Sequence, residues 1–294
     1  MTRPIGPGRP PADLAAPWRD DPDGVAPVVI VIGGFLSSPL MHGPFRRRLL
    51  ERGAADVLIA PIWLPDWILA AYRHGAGRLA TRAGRALLEA GDRSAASRAA
   101  RGAPVLVVGH SAGGGLARLL TSTEPFEGRR FAAATRIGAM VTLGTPNHVH
   151  PTGELGARLT TVASAFLERV VPGPDFAPTT GYLTVGSRAD TARRDGNRAE
   201  RRQHRFYAGL LGPDAPDVIH GDGVVPLDCA LLRDTPAIVF DDVYHGPGGT
   251  WYGSDRALDD WWLPALETWR RALRARLGAQ AAGPDRATAT AGAG

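Results

Sequence analysis

The sequence predicts an α/β fold built on a mostly parallel sheet of about six strands, with helices on both faces. Short, apolar, β-branched segments alternate along the chain with longer segments of helical character. Most of the apolar segments are continuous rather than alternating, which is typical of strands that are covered on both faces. Neighbouring parallel strands need a crossover connection, and the intervening helices supply it.

Six segments are predicted as strands, at residues 28–32, 57–62, 105–108, 139–143, 182–185 and 237–240. Helices are predicted at about 39–52, 66–74, 77–100, 112–122, 155–170, 199–211 and 257–277. Because the segment before residue 27 is short and rich in proline, we expect no additional hairpin ahead of the first strand.

The 294 residues fit a single domain of the size common for α/β proteins. Residues 1–26, rich in proline, glycine and arginine, are predicted to be a disordered lead-in, and 279–294 a disordered tail of alanine, glycine and threonine. The α/β domain is therefore predicted at 27–278. Within it, the stretch 148–178 carries apolar residues at helical spacing and is either core or a lid over the site: Leu159, Val162, Phe166, Leu167 and Val170.

The formal net charge is +5, and every basic residue outside the histidines is arginine. Most arginines are interspersed with acidic residues and do not alternate with aromatic side chains, so we expect no nucleic-acid partner. The densest run, 193–205, also contains Asp195 and Glu200. This run is either a solvated surface or a patch that makes transient contact with an anionic membrane surface.

The only cysteine, Cys229, excludes an intramolecular disulfide, and the N-terminal residues lack the apolar run of a secretory signal. No later segment has the length of unbroken apolar residues that spans a bilayer. We therefore expect a cytoplasmic protein. His148 and His150 have the spacing of two metal ligands, but no third ligand stands out, so we predict neither a metal nor another cofactor.

The third predicted strand is followed directly by Gly-His-Ser-Ala-Gly at 109–113, with Ser111 in the middle, and then by a helix. In a G-x-S-x-G turn the serine stands at the apex between strand and helix, where its hydroxyl is exposed above the sheet. The glycines are needed because a Cβ would collide with the neighbouring elements. The alternative is a serine that only caps the helix.

A serine hydroxyl needs a base, usually a histidine oriented by a carboxylate. His245 follows the last predicted strand and precedes a glycine-rich loop, and Asp222 lies in the tight turn Gly-Asp-Gly-Val-Val-Pro before that strand. Ser111, Asp222 and His245 are therefore the predicted catalytic residues, in the chain order that such sites use. Other acids remain open, with Asp241 and Asp242 ahead of Asp217 and Asp228.

Two backbone N–H groups should stabilise the developing oxyanion. We assign one to Ala112, which follows the nucleophile, and the other to Phe35, in the turn after the first strand where Gly33 and Gly34 allow close approach. The residues expected to bind substrate are Leu36 in that turn, His110 before the nucleophile, Trp63 and Trp67 after the second strand, and Trp251 after His245.

Five segments carry a resemblance to a known family, and they read VVIVIGGFLSSP, VLVVGHSAGG, VTLGTPNH, GDGVVPLDCALL and VYHGPGGTWYGS. They resemble the lipase- and esterase-like α/β-hydrolases allied to GPI inositol-deacylases, intermittently from about residue 28 to 262. The resemblance implies the α/β-hydrolase fold, with Ser111 as nucleophile, Asp222 as acid and His245 as base. The chain departs from the family at Gly33, where many lipases have histidine or proline, and at Asn147-His148, which replaces the usual His-x-Gly.

The sequence thus predicts a serine carboxylic ester hydrolase that acts on a small-molecule or lipid ester through an acyl-enzyme on Ser111. Two alternatives use the same residues. One is an acyltransferase or thioesterase with the same catalytic residues, and the other is a hydrolase-derived lipid-binding protein with little turnover.

Overall fold

A computed structural model describes residues 17–71, 75–150 and 157–281. In chain order its strands are β1 (Val28–Ile32), β2 (Asp56–Ile59), β3 (Val105–His110), β4 (Ile137–Leu143), β5 (Gly181–Ser187), β6 (Asp190–Arg193), β7 (Val218–Gly221) and β8 (Ala237–Phe240). Six of them form one parallel sheet in the order β2-β1-β3-β4-β5-β8, and β6 and β7 form a separate antiparallel pair. The prediction of a six-stranded, mostly parallel sheet is confirmed.

The helices are α1 (Gly43–Glu51), α2 (Leu64–Leu69), α3 (Gly75–Ala96), α4 (Ala112–Thr121), α5 (Ala157–Val170), α6 (Arg198–Leu211), α7 (Leu227–Ala230) and α8 (Asp255–Ala281). Helices α3, α4 and α5 cover one face of the main sheet, and α1 and α8 cover the other. None of the helices in the described part of the chain is long and apolar enough to cross a bilayer.

Strand β1 shows why the continuous apolar segments form central strands. Ile30 and Ile32 pack into the core beneath α3 and α4, whereas Val29 and Val31 pack into the core beneath α1 and α8. All of these side chains are fully buried. Burial of one such side chain stabilises the fold by about 1.5–3 kcal/mol, so a polar residue on either face of this strand would be strongly destabilising.

The two ends of the domain differ from the predicted boundaries. Trp18 and Val25 lie within the predicted lead-in but are buried, and the Trp18 N–H donates to the carbonyl of Arg101. At the other end α8 continues to Ala281, three residues into the predicted tail. Residues 1–16 and 282–294 lie outside the described residues.

The antiparallel pair β6–β7 was not predicted from the sequence. Residues 190–193 read Asp-Thr-Ala-Arg, and only Ala192 is buried, so this strand lacks the apolar signal of the central strands. The pair places Asp190 opposite Gly221, directly before Asp222. Asp222 was expected after a strand of the main sheet, but it follows β7 of this separate pair instead.

Helix α5 occupies the middle of the candidate lid at 148–178. Leu167 is buried in the core with α3 and α4, and the ring of Phe166 packs edge-on against Phe126 at 4.9 Å. Val162 is exposed, whereas Val170 packs against the core. The structure describes four of the five predicted apolar side chains, and three of these four belong to the core. Residues 151–156 and the side chain of Leu159 lie outside the described residues.

Candidate active site

Ser111 stands between β3 and α4 in a strained backbone conformation. Its φ is 54° and its ψ is −133°, a positive-φ combination that L-residues rarely adopt. Its N–H donates to the carbonyl of Leu143 on the neighbouring strand at 2.9 Å, which helps to hold the turn. Although Ser111 occupies the N-cap position of α4, its side chain makes no capping hydrogen bond. The hydroxyl is therefore not used to stabilise the helix.

The glycines on either side of Ser111 are required by their surroundings. A Cβ at Gly109 would collide with the backbone of Gly114 in the first turn of α4, and one at Gly113 would collide with the carbonyl oxygen of Ile32 on β1. The strand, the turn and the helix thus approach too closely for any side chain. This steric requirement explains why both glycines of the G-x-S-x-G pattern are present in the sequence.

The turn after β1 lies directly against the serine. A Cβ at Gly34 would be 2.5 Å from Cβ and 3.0 Å from Oγ of Ser111. The turn is fixed by Ser37, whose N–H and hydroxyl both donate to the Gly34 carbonyl, at 3.1 and 2.7 Å. Leu36 has a φ of 60°. Phe35, between Gly34 and Leu36, is therefore in a constrained backbone segment beside Ser111.

Asp222 and His245 are joined by a hydrogen bond of 2.8 Å from Nδ1 of the imidazole to Oδ2 of the carboxylate. The backbone N–H of His245 also donates to the carbonyl of Asp222 at 2.9 Å. Asp222 is only 1% exposed, and its Oδ1 accepts from the N–H groups of Val224 and Val225. Because a carboxylate only accepts, the Nδ1 of His245 carries the proton, which leaves Nε2 of the neutral ring with its lone pair.

The G-x-S-x-G turn at residues 109–113, called the elbow below, and the loop after β8 that carries His245 meet through His110. Its ring lies 4.9 Å from the ring of His245, and its Nε2 donates to the His245 carbonyl at 2.9 Å. Since β8 lies three positions from β3 in the sheet, the loop after β8 must reach back over β4 and β5 to meet the elbow. His110, predicted to bind substrate, is itself buried and anchors this loop.

Two buried imidazoles behind the site are neutral at neutral pH. Burial lowers the pKa of His42 from 6.5 to about 4. Burial, together with the imidazoles of His245 and His42, holds the pKa of His110 well below its usual value. The His42 ring contacts both His110 and Trp251, at centroid distances of 6.1 Å. Sequence reasoning missed His42, because it lies in a short helical turn with no motif of its own.

The predicted substrate-binding residues fall into two groups. Leu36 and Trp63 are 46% and 43% exposed, and Phe35, which was predicted as an oxyanion donor, is 46% exposed. Trp67 and Trp251 are buried, at 2% and 5% exposure; Trp67 supports the ring of Phe35 edge-on at 5.9 Å, and Trp251 packs among His42, Phe45 and His110. The structure therefore places these two indoles behind the surface that the others form.

Three of the four alternative acids are engaged elsewhere, and the fourth, Asp228, is exposed. Asp241 pairs with Arg188 and Asp242 with Arg256, both on the surface, and Asp217 pairs with Arg194. His148 is hydrogen-bonded to Glu168. No cluster of three metal-ligating side chains occurs among residues 17–71, 75–150 and 157–281.

Tyr252 is a site residue whose contact with the acid was not predicted. Its hydroxyl donates to Oδ2 of Asp222 at 2.8 Å, the same oxygen that His245 contacts. Tyr252 lies seven residues after His245, and this proximity was the only signal in the sequence. It does not reveal which way the ring points.

No protein-family model matches the chain, and no curated protein matches its sequence. Among solved structures it is similar to the mature lipase of Bacillus licheniformis, with 14% identity, a TM-score of 0.55, and coverage of 83% of this chain and 94% of that one. It is also similar to an esterase of Pyrobaculum calidifontis (19% identity, TM-score 0.44, coverage 87% and 78%) and to an esterase of the planctomycete Thermogutta terrifontis (15%, 0.42, 84% and 82%). The likeness to the Bacillus lipase and the sheet order establish the α/β-hydrolase fold, as predicted.

Proposed function

We propose that the protein is a serine hydrolase of carboxylic esters that acts through an acyl-enzyme on Ser111. The observation that carries this assignment is the hydrogen bond between Asp222 and His245, whose ring contacts His110, the residue before an uncapped serine in a strained turn. β1, β3 and β8 are parallel, so the loops that follow them lie at one edge of the sheet. The nucleophile and the base then share that edge, and the hydrogen bond to His245 brings the acid to the same place.

In the proposed reaction His245 Nε2 accepts the hydroxyl proton as Ser111 Oγ bonds to the ester carbonyl carbon. The resulting imidazolium is stabilised by the Asp222 carboxylate and gives its proton to the leaving alkoxide as the carbon–oxygen bond breaks. Water, deprotonated by the same imidazole, then attacks the acyl-enzyme and releases the carboxylic acid and the free serine. No cofactor takes part in these steps.

We assign the oxyanion donors to the N–H groups of Ala112 and Phe35. Ala112 is the first residue of α4, so its N–H lies at the positive end of the helix dipole. Phe35 follows Gly34, where a Cβ would lie only 2.5 Å from the Cβ of Ser111. The hydrogen bonds of Ser37 keep this turn in place before substrate binds, as preorganised oxyanion stabilisation requires.

An apolar surface beside this turn favours an ester with an apolar acyl group. Its side chains are 39–77% exposed, come from the connection after β1 and from α2 with its flanks, and are Phe35, Leu36, Leu40, Met41, Trp63, Leu64, Ile68 and Leu69. Apolar side chains gathered around a few polar groups are typical of ligand sites. We also propose a closer kinship with GPI inositol-deacylases, because the segments around Asp222 and His245 resemble those of that group.

Labelling and turnover together test the assignment. Purified protein is treated with a fluorophosphonate probe and assayed on p-nitrophenyl esters of increasing acyl length, alongside Ser111→Ala. We expect labelling and hydrolysis that both depend on Ser111. Absence of labelling, or turnover by Ser111→Ala equal to that of wild type, would falsify the assignment as a serine hydrolase. Labelling with negligible turnover would indicate an acyltransferase without its acceptor, or a lipid-binding protein. Faster turnover of the matched thioesters would indicate a thioesterase.

A second surface favours contact with an anionic membrane. Residues 193–205 hold six arginines and two acidic residues and so carry most of the net charge of +5. Four of the arginines are exposed on one face of α6, at i, i+3, i+4 and i+7: Arg198, Arg201, Arg202 and Arg205. None of the four has an ion pair within the described part of the chain. The opposite face buries His204 and Tyr207. We propose that this basic face binds anionic lipid headgroups, to which each arginine contributes about 1 kcal/mol.

Vesicle sedimentation tests the basic face. The four arginines are changed together to glutamine, and the control changes four exposed arginines of other surfaces, Arg85, Arg98, Arg130 and Arg271. Both variants have the same net charge. We expect wild type and control to sediment with vesicles containing phosphatidylglycerol, and the α6 variant to stay in solution. Equal loss in both variants, or equal binding to neutral vesicles, would contradict a specific basic face.

A further inference from the structure

The carboxylate of Asp222 is saturated by four donors. Its Oδ1 accepts the N–H groups of Val224 and Val225 at 2.9 and 2.7 Å. Its Oδ2 accepts Nδ1 of His245 and the hydroxyl of Tyr252, each at 2.8 Å. The oxygen that orients the imidazole is thus shared with a phenol. Asp222 and Tyr252 are 1% and 0% exposed, so water does not compete for these bonds.

The ring of Tyr252 is held in the position that this bond requires. The indole N–H of Trp261 donates to the Tyr252 carbonyl at 2.8 Å, which fixes the backbone against α8. On the other side, a Cβ at Gly144 would lie 2.6 Å from Asp222 Oδ2 and 2.7 Å from Tyr252 Cε2. The glycine that ends β4 therefore leaves room for the carboxylate and the phenol to meet.

The phenol is a permanent donor. Burial, followed by the charge and hydrogen bond of Asp222, holds the pKa of Tyr252 well above its usual value. The groups that face this carboxylate from the packed elements are His245 and Tyr252 from the segment after β8, His110 from β3, and Tyr207 from α6. Tyr207 does not touch the carboxylate, since its hydroxyl bonds Asp190 and the N–H of Gly223.

We propose that Tyr252 is a positioning residue for the base. It keeps Oδ2 of Asp222 in the plane of the His245 ring, and it limits the negative charge that this oxygen presents to Nδ1. The inference rests on the proposed function, because it assigns Tyr252 a role in a serine hydrolase. Two consequences follow when the hydroxyl is removed. The carboxylate is then held by three donors instead of four and is aligned with the imidazole for less of the time. While it is aligned, the bond from Nδ1 is stronger because its acceptor has lost a competing donor.

Tyr252→Phe is the variant that tests this role, because it removes one oxygen and keeps the buried ring. We expect kcat for p-nitrophenyl butyrate to fall about 10-fold with KM nearly unchanged, because the loss concerns the proton-transfer step and not ester binding. The acid limb of the kcat/KM profile is expected to move to higher pH, because a less neutralised carboxylate favours the imidazolium. In the proton NMR spectrum the hydrogen-bonded imidazole proton, assigned by its loss in His245→Ala, is expected to move downfield.

Tyr182→Phe provides the matched control. Tyr182 is also buried, and it belongs to the core beneath α3, α4 and α5, whereas Tyr252 belongs to the core on the other face of the sheet. We expect this variant to lose thermal stability to a similar extent while it keeps the wild-type pH profile and imidazole resonance. If both variants lose activity in proportion to Tm, with unshifted profiles, Tyr252 is merely structural and the inference is wrong.

Two further results keep the test decisive. If Tyr252→Phe fails to fold, replacing tyrosine throughout the protein by 3-fluorotyrosine makes the hydroxyl a stronger donor, and the acid limb should then move to lower pH. An unchanged limb would overturn the inference. If wild type is neither labelled at Ser111 nor hydrolytic, the proposed function fails, whereas the imidazole resonance still decides whether Tyr252 governs the bond between His245 and Asp222.

Discussion

The buried ring of His42 makes the stability of the domain depend on pH. It is 4% exposed and packs against His110 and Trp251 behind the candidate site. Burial lowers its pKa from 6.5 to about 4. The unfolded chain therefore binds a proton below pH 6.5, which the folded protein does not bind until the pH approaches 4. Stability from this group is complete above pH 6.5 and is lost as the pH falls toward 4.

The size of the effect follows from the shift. A difference of this size between the two pKa values corresponds to about 3 kcal/mol when the pH has fallen below both. Between pH 7 and pH 5, where the unfolded state is protonated and the folded state is still neutral, His42 should lower the free energy of unfolding by about 2 kcal/mol. Urea unfolding at the two pH values measures this loss.

The informative variant is His42→Phe, which keeps an aromatic ring against Trp251 and removes the titrating group. Between pH 7 and pH 5 it should lose about 2 kcal/mol less of its unfolding free energy than wild type does. His220→Gln, at an exposed position, controls for the removal of a histidine. Equal losses in wild type and His42→Phe would mean that the imidazole reaches solvent in the folded protein, and the argument from burial would be refuted.

Two further predictions concern the site itself. Asp222→Asn should lower kcat by about 10³–10⁴-fold with the fold intact, because the imidazolium loses its counter-charge. Asp241→Asn removes only an exposed ion pair, so its kcat should stay within about threefold of the wild-type value. If p-nitrophenyl butyrate assays show the larger loss for Asp241→Asn, the acid is Asp241. Gly34→Ala places a methyl group against Ser111 and should lower kcat/KM and the fluorophosphonate labelling rate by about 10²-fold or more. Gly43→Ala, at a helical glycine with open space around it, should leave kcat/KM and the labelling rate unchanged. A fully active Gly34→Ala would show that the turn after β1 does not border the nucleophile.

The parts of the fold that the sequence predicted are those set by local patterns. Continuous β-branched segments mark strands buried on both faces, and the first and last strands were predicted with the bounds that they have. The elbow is equally local, since the glycines at 109 and 113 are dictated by neighbours within the same strand–turn–helix unit and on the adjacent strand. By contrast, β6 and β7 are short and half polar, so no periodicity distinguishes them from a loop.

The side-chain contacts of the site depend on distances that no local pattern contains. Asp222 and Tyr252 are 30 residues apart, and His42 lies in the connection after β1 whereas His110 is the last residue of β3. Trp67 and Trp251 were expected to bind substrate because aromatic residues follow strands there, but an indole in such a loop can equally pack beneath it, and both do so. Composition alone does not separate the two outcomes.

The sequence also did not decide which carboxylate is the acid, because several aspartates lie near His245 in the chain. Asp241 and Asp242 come directly after β8, nearer to His245 in the chain than Asp222 is, and so were strong candidates. Arginines reach both of them at the surface, from Arg188 before β6 and from Arg256 in α8. Asp222 has no arginine partner in the described part of the chain; its carboxylate is stabilised by backbone N–H groups and a phenol. These neutral donors satisfy the carboxylate and leave its negative charge to stabilise a histidine that becomes positive during the reaction, whereas an arginine would already have neutralised it.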